Sequence, residues 1–279
     1  MEEANLPEEI IVLILSWLPV KSLLRFTCVS KRFHFIILSD PKFAKSQFQA
    51  ACERKTLACR LLCSTTAPRV ESLDLETPSF GDRSSVRKLK LPLRPPAGEV
   101  LPLGSCNGIV FLAFNEKIFN IWNPSTGFFK KLPDPGFSPK ENELFVYGVG
   151  YLRATDDYKV VVASAGFTVD DKVEAAIFSS RADGWKTLEV DFDGSIAGQG
   201  TLLKEALHWL NDQEHEIVAF DLAQEDDEHK LRKMLPPNFH NERGRKHDIH
   251  LGVSTGGCLS LARYLRASAD SIDVWVMRA

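Results

Sequence analysis

ILSWLPVKSLLRFTCVSKRF, residues Ile14–Phe33, holds more large apolar side chains than a helical pair of that length buries by itself. Upstream, Asn5 is placed to cap a helix, Pro7 sits in its first turn, and Glu8 and Glu9 complement the positive end of its dipole. Ile10, Ile14, Trp17 and Leu18 recur at helical spacing, with Ile11 and Leu15 widening the stripe, and Pro19 stops the helix. Ser22 is placed to cap a second helix carrying Leu23, Leu24, Phe26 and Val29. A third short element follows Ser30, with Phe33, Ile36 and Ile37, and Pro41 ends it. Half a dozen such side chains left in water would each forgo roughly 1.5–3 kcal/mol of burial. Together they would form a larger patch than monomers usually carry. Either they pack on the rest of the chain, or they form a docking surface for another protein.

The remaining composition is that of an ordinary globular chain of 279 residues with a net charge of -3, which points to neither nucleic acid nor a membrane surface. Cys28, Cys52, Cys59, Cys63, Cys106 and Cys258 are scattered without a C-x-x-C pair, as in a reduced cytoplasmic or nuclear protein. Helix or strand packing is the expected fate of Cys52, Cys59 and Cys63. Glu2, Glu3, Glu8 and Glu9 oppose a signal peptide, and Ile10–Leu18 falls short of the roughly 20 residues a membrane helix needs.

The segment NLPEEIIVLILSWLPVKSLLRFTCVSKRFHFII resembles an F-box. The residues that carry the resemblance are Leu6-Pro7, Ile14-Leu15, Leu18-Pro19, Ser22-Leu23 and Val29-Ser30-Lys31, with Phe33 where the family often has Trp. The resemblance implies a docking unit for the Skp-family adaptor of SCF-type ubiquitin ligases and, through it, a cullin. By the same analogy Leu6, Pro7, Ile10, Ile14, Leu18, Pro19, Leu23, Leu24 and Val29 would carry the contact.

From Thr56 onward apolar runs shorten, β-type residues rise, and turn signals recur at Asn107-Gly108, Pro124–Gly127, Asp183-Gly184, Asp193-Gly194 and Gly256-Gly257. A degenerate repeat of strand, turn, then Lys and Leu-Pro centres on Leu73, Ile121, Ile177, Phe220 and Val274, spaced by about 43 to 56 residues. That is near the period of four-stranded propeller blades, though a sandwich or barrel fits a loose repeat as well. The stretches LGSCNGIVFL, IWNPSTGFFKKLP, YGVGYLRATDDYKVV, LHWL, AFDLA and DVWVM resemble the F-box-associated domain of plant F-box proteins. That resemblance implies a propeller-like fold that chooses the target protein. The expected architecture is α+β and multidomain: a three-helix F-box over 1–45, a helical linker over 46–58, and an all-β, propeller-like domain over 59–279. Structurally, Asn107-Gly108 suits a tight type I′ hairpin turn, and Trp122, Trp185, Trp209 and Trp275 suit blade cores. The loops Pro133–Glu143, Gly166–Lys172 and Gln224–His229 stand out as target contacts by length and polarity, without identifying the target.

Catalytic patterns do not converge. His240, His247, Asp248 and His250 fit no common zinc spacing and stand among Arg243, Arg245 and Lys246, so a solvated loop is the simpler reading. Gly252–Gly256 matches G-x-S-x-G around Ser254, but no histidine follows His250 to complete a hydrolase triad. No metal, cofactor or catalytic residue is expected. The leading expectation is a substrate-recognition subunit of an SCF ligase in the cytoplasm and/or nucleus. The alternatives are an F-box protein without ligase output, acting as an adaptor-binding competitor or truncated duplicate, and a propeller enzyme. The chain stops after DVWVM, where relatives of this kind usually continue, so the β domain is expected to be incomplete, with an open edge and marginal stability. Cooperative melting of the purified chain as a monomer at an ordinary mesophilic temperature would overturn that expectation.

Overall fold

The computed structural model describes residues 6–56, 60–65, 69–75, 85–92, 99–136, 144–165, 173–188, 190, 196–211, 216–224, 231–236, 247–254, 256–265 and 268–277. Four helices open the chain: α1 (Glu8–Ser16), α2 (Val20–Phe26), α3 (Lys31–Ser39) and α4 (Pro41–Glu53). Among the described residues no helix is long and apolar enough to cross a membrane.

The helix starts differ from the sequence expectation in two places. Pro7, not Asn5, holds the N-cap of α1, Asn5 lying outside the described residues. α2 begins at Val20 behind Pro19, which leaves Ser22 inside the helix. A proline at the boundary fixes φ in advance, so the helix starts without a polar cap. Ser30 caps α3, its Oγ accepting from the Phe33 N–H at 3.1 Å, and Asp40 caps α4 by accepting from the Lys42 N–H at 2.9 Å. Pro41 therefore ends one helix and begins the next, and the linker segment expected from residue 46 continues a helix that starts at Pro41. Leu15, Leu23, Ile36 and Phe43, one from each helix, form the core of the helical bundle.

Among the described residues, five small sheets follow in chain order. They comprise β1 (Arg60–Thr65), β2 (Arg69–Asp74) and β3 (Val86–Leu89); then β4 (Val100–Cys106), β5 (Ile109–Phe114), β6 (Ile118–Trp122) and β7 (Phe129–Lys131). The third holds β8 (Leu144–Leu152), β9 (Asp157–Ala165), β10 (Glu174–Ser179), β11 (Gly184–Leu188) and the short β12 (Gly198–Gln199), which pairs parallel to β8. The fourth holds β13 (Thr201–Leu203), β14 (Ala206–Asn211), β15 (Glu216–Asp221) and β16 (Arg232–Met234). The fifth holds β17 (His247–Val253), β18 (Leu259–Leu265) and β19 (Ser268–Val276). The repeat centres Leu73, Ile121, Ile177, Phe220 and Val274 fall on β2, β6, β10, β15 and β19, one in each sheet. The period in the sequence is thus one sheet, and the β region is a propeller-like succession of blades.

Packing divides the chain into one unit of Met1–Val100, Asn107–Ile109 and Trp122–Phe129 and another of Leu101–Cys106, Val110–Ile121 and Lys130–Ala279. In the second unit, sheets stack through apolar layers. Val161, Ala163, Ala175 and Ile177 of the third sheet meet Leu207, Trp209, Val218 and Phe220 of the fourth. Ile217 of the fourth meets Leu259 and Leu261 of the fifth, with Trp275 and Met277 alongside. The approach is close enough that β8 needs glycine where leucines cross it. A Cβ on Gly148 would lie 2.7 Å from Leu207 Cδ1, and one on Gly150 would collide with Leu222. Asn107 at φ 52° and Gly108 at φ 77° make the primed hairpin turn between β4 and β5.

One turn hides a buried charge that the sequence pattern did not reveal. Asp156, at φ 55°, closes the β8–β9 hairpin. Its neighbour Asp157 is buried and serves as a clasp. It accepts hydrogen bonds from Ser179 Oγ at 2.6 Å, Ser180 Oγ at 2.9 Å and the Arg181 N–H at 2.9 Å, with Lys159 Nζ at 3.0 Å. Burial pushes its carboxyl up, but these donors outweigh it and hold the group below its ordinary value of 3.8. Asp157 therefore contributes its full stability above that value and loses it as the pH falls through the lower folded value. Asp157→Asn should cost about 1.5–3 kcal/mol in denaturant unfolding at neutral pH. The gap to wild type should narrow below about pH 4; a gap unchanged there would contradict the clasp.

Candidate functional site

The helical bundle buries one face of α1 and leaves the opposite face bare. Ile11, Val12, Leu15 and Leu18 point into the bundle. Leu6, Ile10, Leu13, Ile14 and Trp17 recur on the outer side, with Leu13 56% and Trp17 65% exposed. These positions follow the helical repeat, so they form one continuous apolar stripe. Val29, Phe35 and Leu38 add further exposed apolar surface on the following elements.

The nine residues singled out from the sequence divide three ways. Leu6, Pro7, Ile10, Ile14, Pro19 and Val29 are exposed. Leu18 and Leu24 are half-buried. Leu23 is only 4% exposed and belongs to the bundle core. Its role in this chain is to hold α2 against the other helices. The sequence places Trp17 in the α1 stripe but not among the nine, and Leu13, Phe35 and Leu38 are in neither, although the spacing of Ile10, Leu13 and Trp17 carries the signal for the outer face.

The C-terminal end of α1, where carbonyls run out of helical partners, is fixed by α4. Arg54 Nη2 donates to Ser16 O at 2.9 Å and Gln47 Nε2 to Leu18 O at 3.3 Å. The Arg54 guanidinium also lies 4.5 Å from the centroid of the Trp17 ring. At the other end, Glu8 pairs with Arg32 of α3 at 2.8 Å in exposed surroundings, where such a pair adds little. The stripe is thus presented on a helix braced from two sides.

The other motifs resolve into structure. Ser254 is consumed in the β17–β18 turn, its N–H donating to Cys258 O at 2.9 Å and its Oγ accepting from the Cys258 N–H at 3.3 Å. His240, Arg243, Arg245 and Lys246 lie outside the described residues, and among the described ones no cluster of three His, Cys, Asp or Glu could share a metal. Cys52 and Cys63 are exposed rather than packed, because each stands on the solvent side of its element; Cys59 lies outside the described residues. Trp122 and Trp209 are buried, whereas Trp185 and Trp275 are half-buried. Trp185 packs on Phe119 and Phe178 and donates from Nε1 to Pro133 O at 2.8 Å. Of the three suggested target loops, only Pro133–Gly136 and Gln224 fall among the described residues.

Comparison with known proteins finds two domain families along the chain. The F-box domain profile matches residues 4–45, and that of the F-box associated beta propeller domain matches residues 65–279. F-box protein CPR1 of Arabidopsis thaliana is 27% identical over 99% of this chain and 70% of its own length. The Arabidopsis thaliana F-box/kelch-repeat protein At3g23880 is 28% identical over 98% of this chain and 76% of its own. F-box protein At4g22390 of the same plant is 26% identical, this chain spanning 63% of its length.

The two faces of the bundle should respond differently to truncation. Leu23→Ala should destabilise the helices by about 2–5 kcal/mol. Leu13→Ala should change stability by no more than about 0.5 kcal/mol. Helical circular dichroism in denaturant reads both; equal losses would mean that the stripe is covered in solution.

Proposed function

The chain belongs to the F-box proteins that carry an F-box associated β-propeller domain, and on that premise we propose that it is a substrate-recognition subunit of an SCF-type ubiquitin ligase. Its N-terminal helices bind a Skp-family adaptor and through it a cullin, and its β region holds a target protein. It works in the cytoplasm or nucleus.

The observation that carries this proposal is the bare stripe of α1. Ile10, Leu13 and Ile14 on one face of α1, with Leu6 just before the helix and Trp17 just after it, stay 42–65% exposed although the other face is already packed and the Arg54 guanidinium lies over the Trp17 ring. Covering them with a partner returns the burial energy that the lone chain forgoes, of order 1.5–3 kcal/mol for each side chain fully covered. The central members of such a patch are where binding energy concentrates.

The role requires no bond chemistry from this chain. A receptor fixed to the adaptor at one end and to a target at the other makes the encounter between target lysines and the ubiquitin-carrying enzyme effectively intramolecular. Bracing of α1 by Arg54 and Gln47 limits the conformational freedom that docking would otherwise remove.

Co-expression with a plant Skp-family adaptor tests the docking half. The wild-type chain should purify as a stoichiometric complex. Combined Ile10→Ala, Ile14→Ala and Trp17→Ala should weaken it by roughly 100-fold or more, since all three are exposed and their loss leaves the bundle core intact. A wild-type chain that stays a monomer beside the adaptor, or a triple variant that binds as tightly, would rule the proposal out. Ubiquitin transfer to a bound protein in the cullin-assembled complex then separates a productive receptor from a competitor without ligase output.

A further inference from the structure

Within the second unit, a cavity of about 560 Å³ opens among the first or last strands of four successive sheets. Ser105 comes from β4, Gln199 from β12, Thr201 from β13, and Ile249 and His250 from β17. Each of these strands is an edge of its own sheet. Its volume falls within the range of roughly 300–1,000 Å³ typical of ligand sites.

The buried groups of the wall are already hydrogen-bonded. Trp209 Nε1 donates to Tyr147 O and Gly198 O, each at 3.3 Å, and Thr201 Oγ1 donates to Leu251 O at 3.2 Å. The Trp209 indole occupies the space where a Cβ on Gly200 would stand, 2.6 Å from its nearest ring atom. At the mouth the chemistry is different. Ser105 and Gln199 are exposed, and neither side chain has a hydrogen-bond partner among the described residues. His250 shares a hydrogen bond of 3.1 Å with Tyr264 through Nε2, which leaves Nδ1 on the other side of the ring. Val149, Leu202 and Leu251 supply apolar wall between these groups.

No Lys, Arg, Asp or Glu stands among the described residues that line the cavity. A charged group brought into it would lose water and find no counter-charge, whereas a neutral amide or hydroxyl would find donors and acceptors. Edge strands also present backbone N–H and C=O groups outward, the feature by which extended peptides are recognised.

We propose that this cavity is the seat of target recognition, and that its occupant is an extended, uncharged peptide segment presenting a carboxamide or hydroxyl beside apolar side chains. The proposal rests on the substrate-receptor function above and gives it a recognition chemistry: neither a phosphorylated nor an acidic motif is read at this site. The carboxamide of Gln199 is the central contact.

The test uses the full chain in complex with the adaptor and a displayed library of random 12-residue peptides. Enriched peptides should be poor in Asp, Glu, Lys and Arg. They should lose at least tenfold in affinity for Gln199→Ala and for Ala197→Trp, which fills the mouth. They should bind a Thr187→Trp control on β11, the opposite edge of the third sheet, as they bind wild type. Thermal melting checks that all three variants fold alike. Charged consensus peptides, peptides indifferent to Ala197→Trp, or no enrichment would each overturn the proposal. So would native mass spectrometry showing a small organic molecule retained by the wild type and lost from Ala197→Trp, since the site would then belong to a small ligand. Adaptor co-purification is read separately on the same samples. Lost peptide binding with the adaptor retained counts against the cavity alone, and lost adaptor binding counts against the ligase function.

Discussion

Helix α1 is apolar on two faces, and a bundle of four short helices has room for only one of them. That constraint governs the N-terminal unit. Leu15 goes inward with Leu23, Ile36 and Phe43, and the bundle closes around those four. The outer face then remains in water, at an energetic cost that a solitary domain has no reason to bear. Proline and polar caps set the helix ends, while Arg54 and Gln47 tie the end of α1 to α4. The bundle is organised so that its least favourable surface is also a firmly held one.

The β region meets the opposite problem. Its strands are short, and no single sheet buries enough to stand alone, so stability comes from stacking one sheet on the next. Glycines at 148 and 150 let leucines from the fourth sheet reach the backbone of β8, while the Asp157 clasp ties the β9 start to the end of β10. The same stacking brings edge strands of successive sheets around one cavity. The described residues that line it carry no Lys, Arg, Asp or Glu, because of which strand positions face that way.

Legibility varied with the range of the interactions concerned. The exposed stripe was partly visible: Ile10, Ile14 and Trp17 were picked out at helical spacing, while Leu13, which shares the face, was not. Leu23 carried the same motif signal as its neighbours and proved to be a core residue. A motif records which residues occur together, and burial depends on which side of a helix its neighbours occupy. Nothing in the sequence around Asp157 marks it as buried; only pairing with β10 brings Ser179, Ser180 and Arg181 to its carboxylate.

Local rules therefore determined much of the protein. Helical spacing and the prolines sufficed for a small helical unit, and the repeat of about 43 to 56 residues for a series of β units, while the resemblance to F-box-associated domains was needed to choose blades over a sandwich or barrel. They sufficed because helix periodicity, turn chemistry and repeat length are short-range properties of a chain. The tertiary structure alone decided which face of α1 is bare, that Leu23 is inside, and that Ser105, Gln199, Thr201 and His250 meet at one opening. When both faces of a helix are apolar, periodicity cannot say which one the bundle covers. When a cavity draws its wall from four sheets, no stretch of sequence contains it.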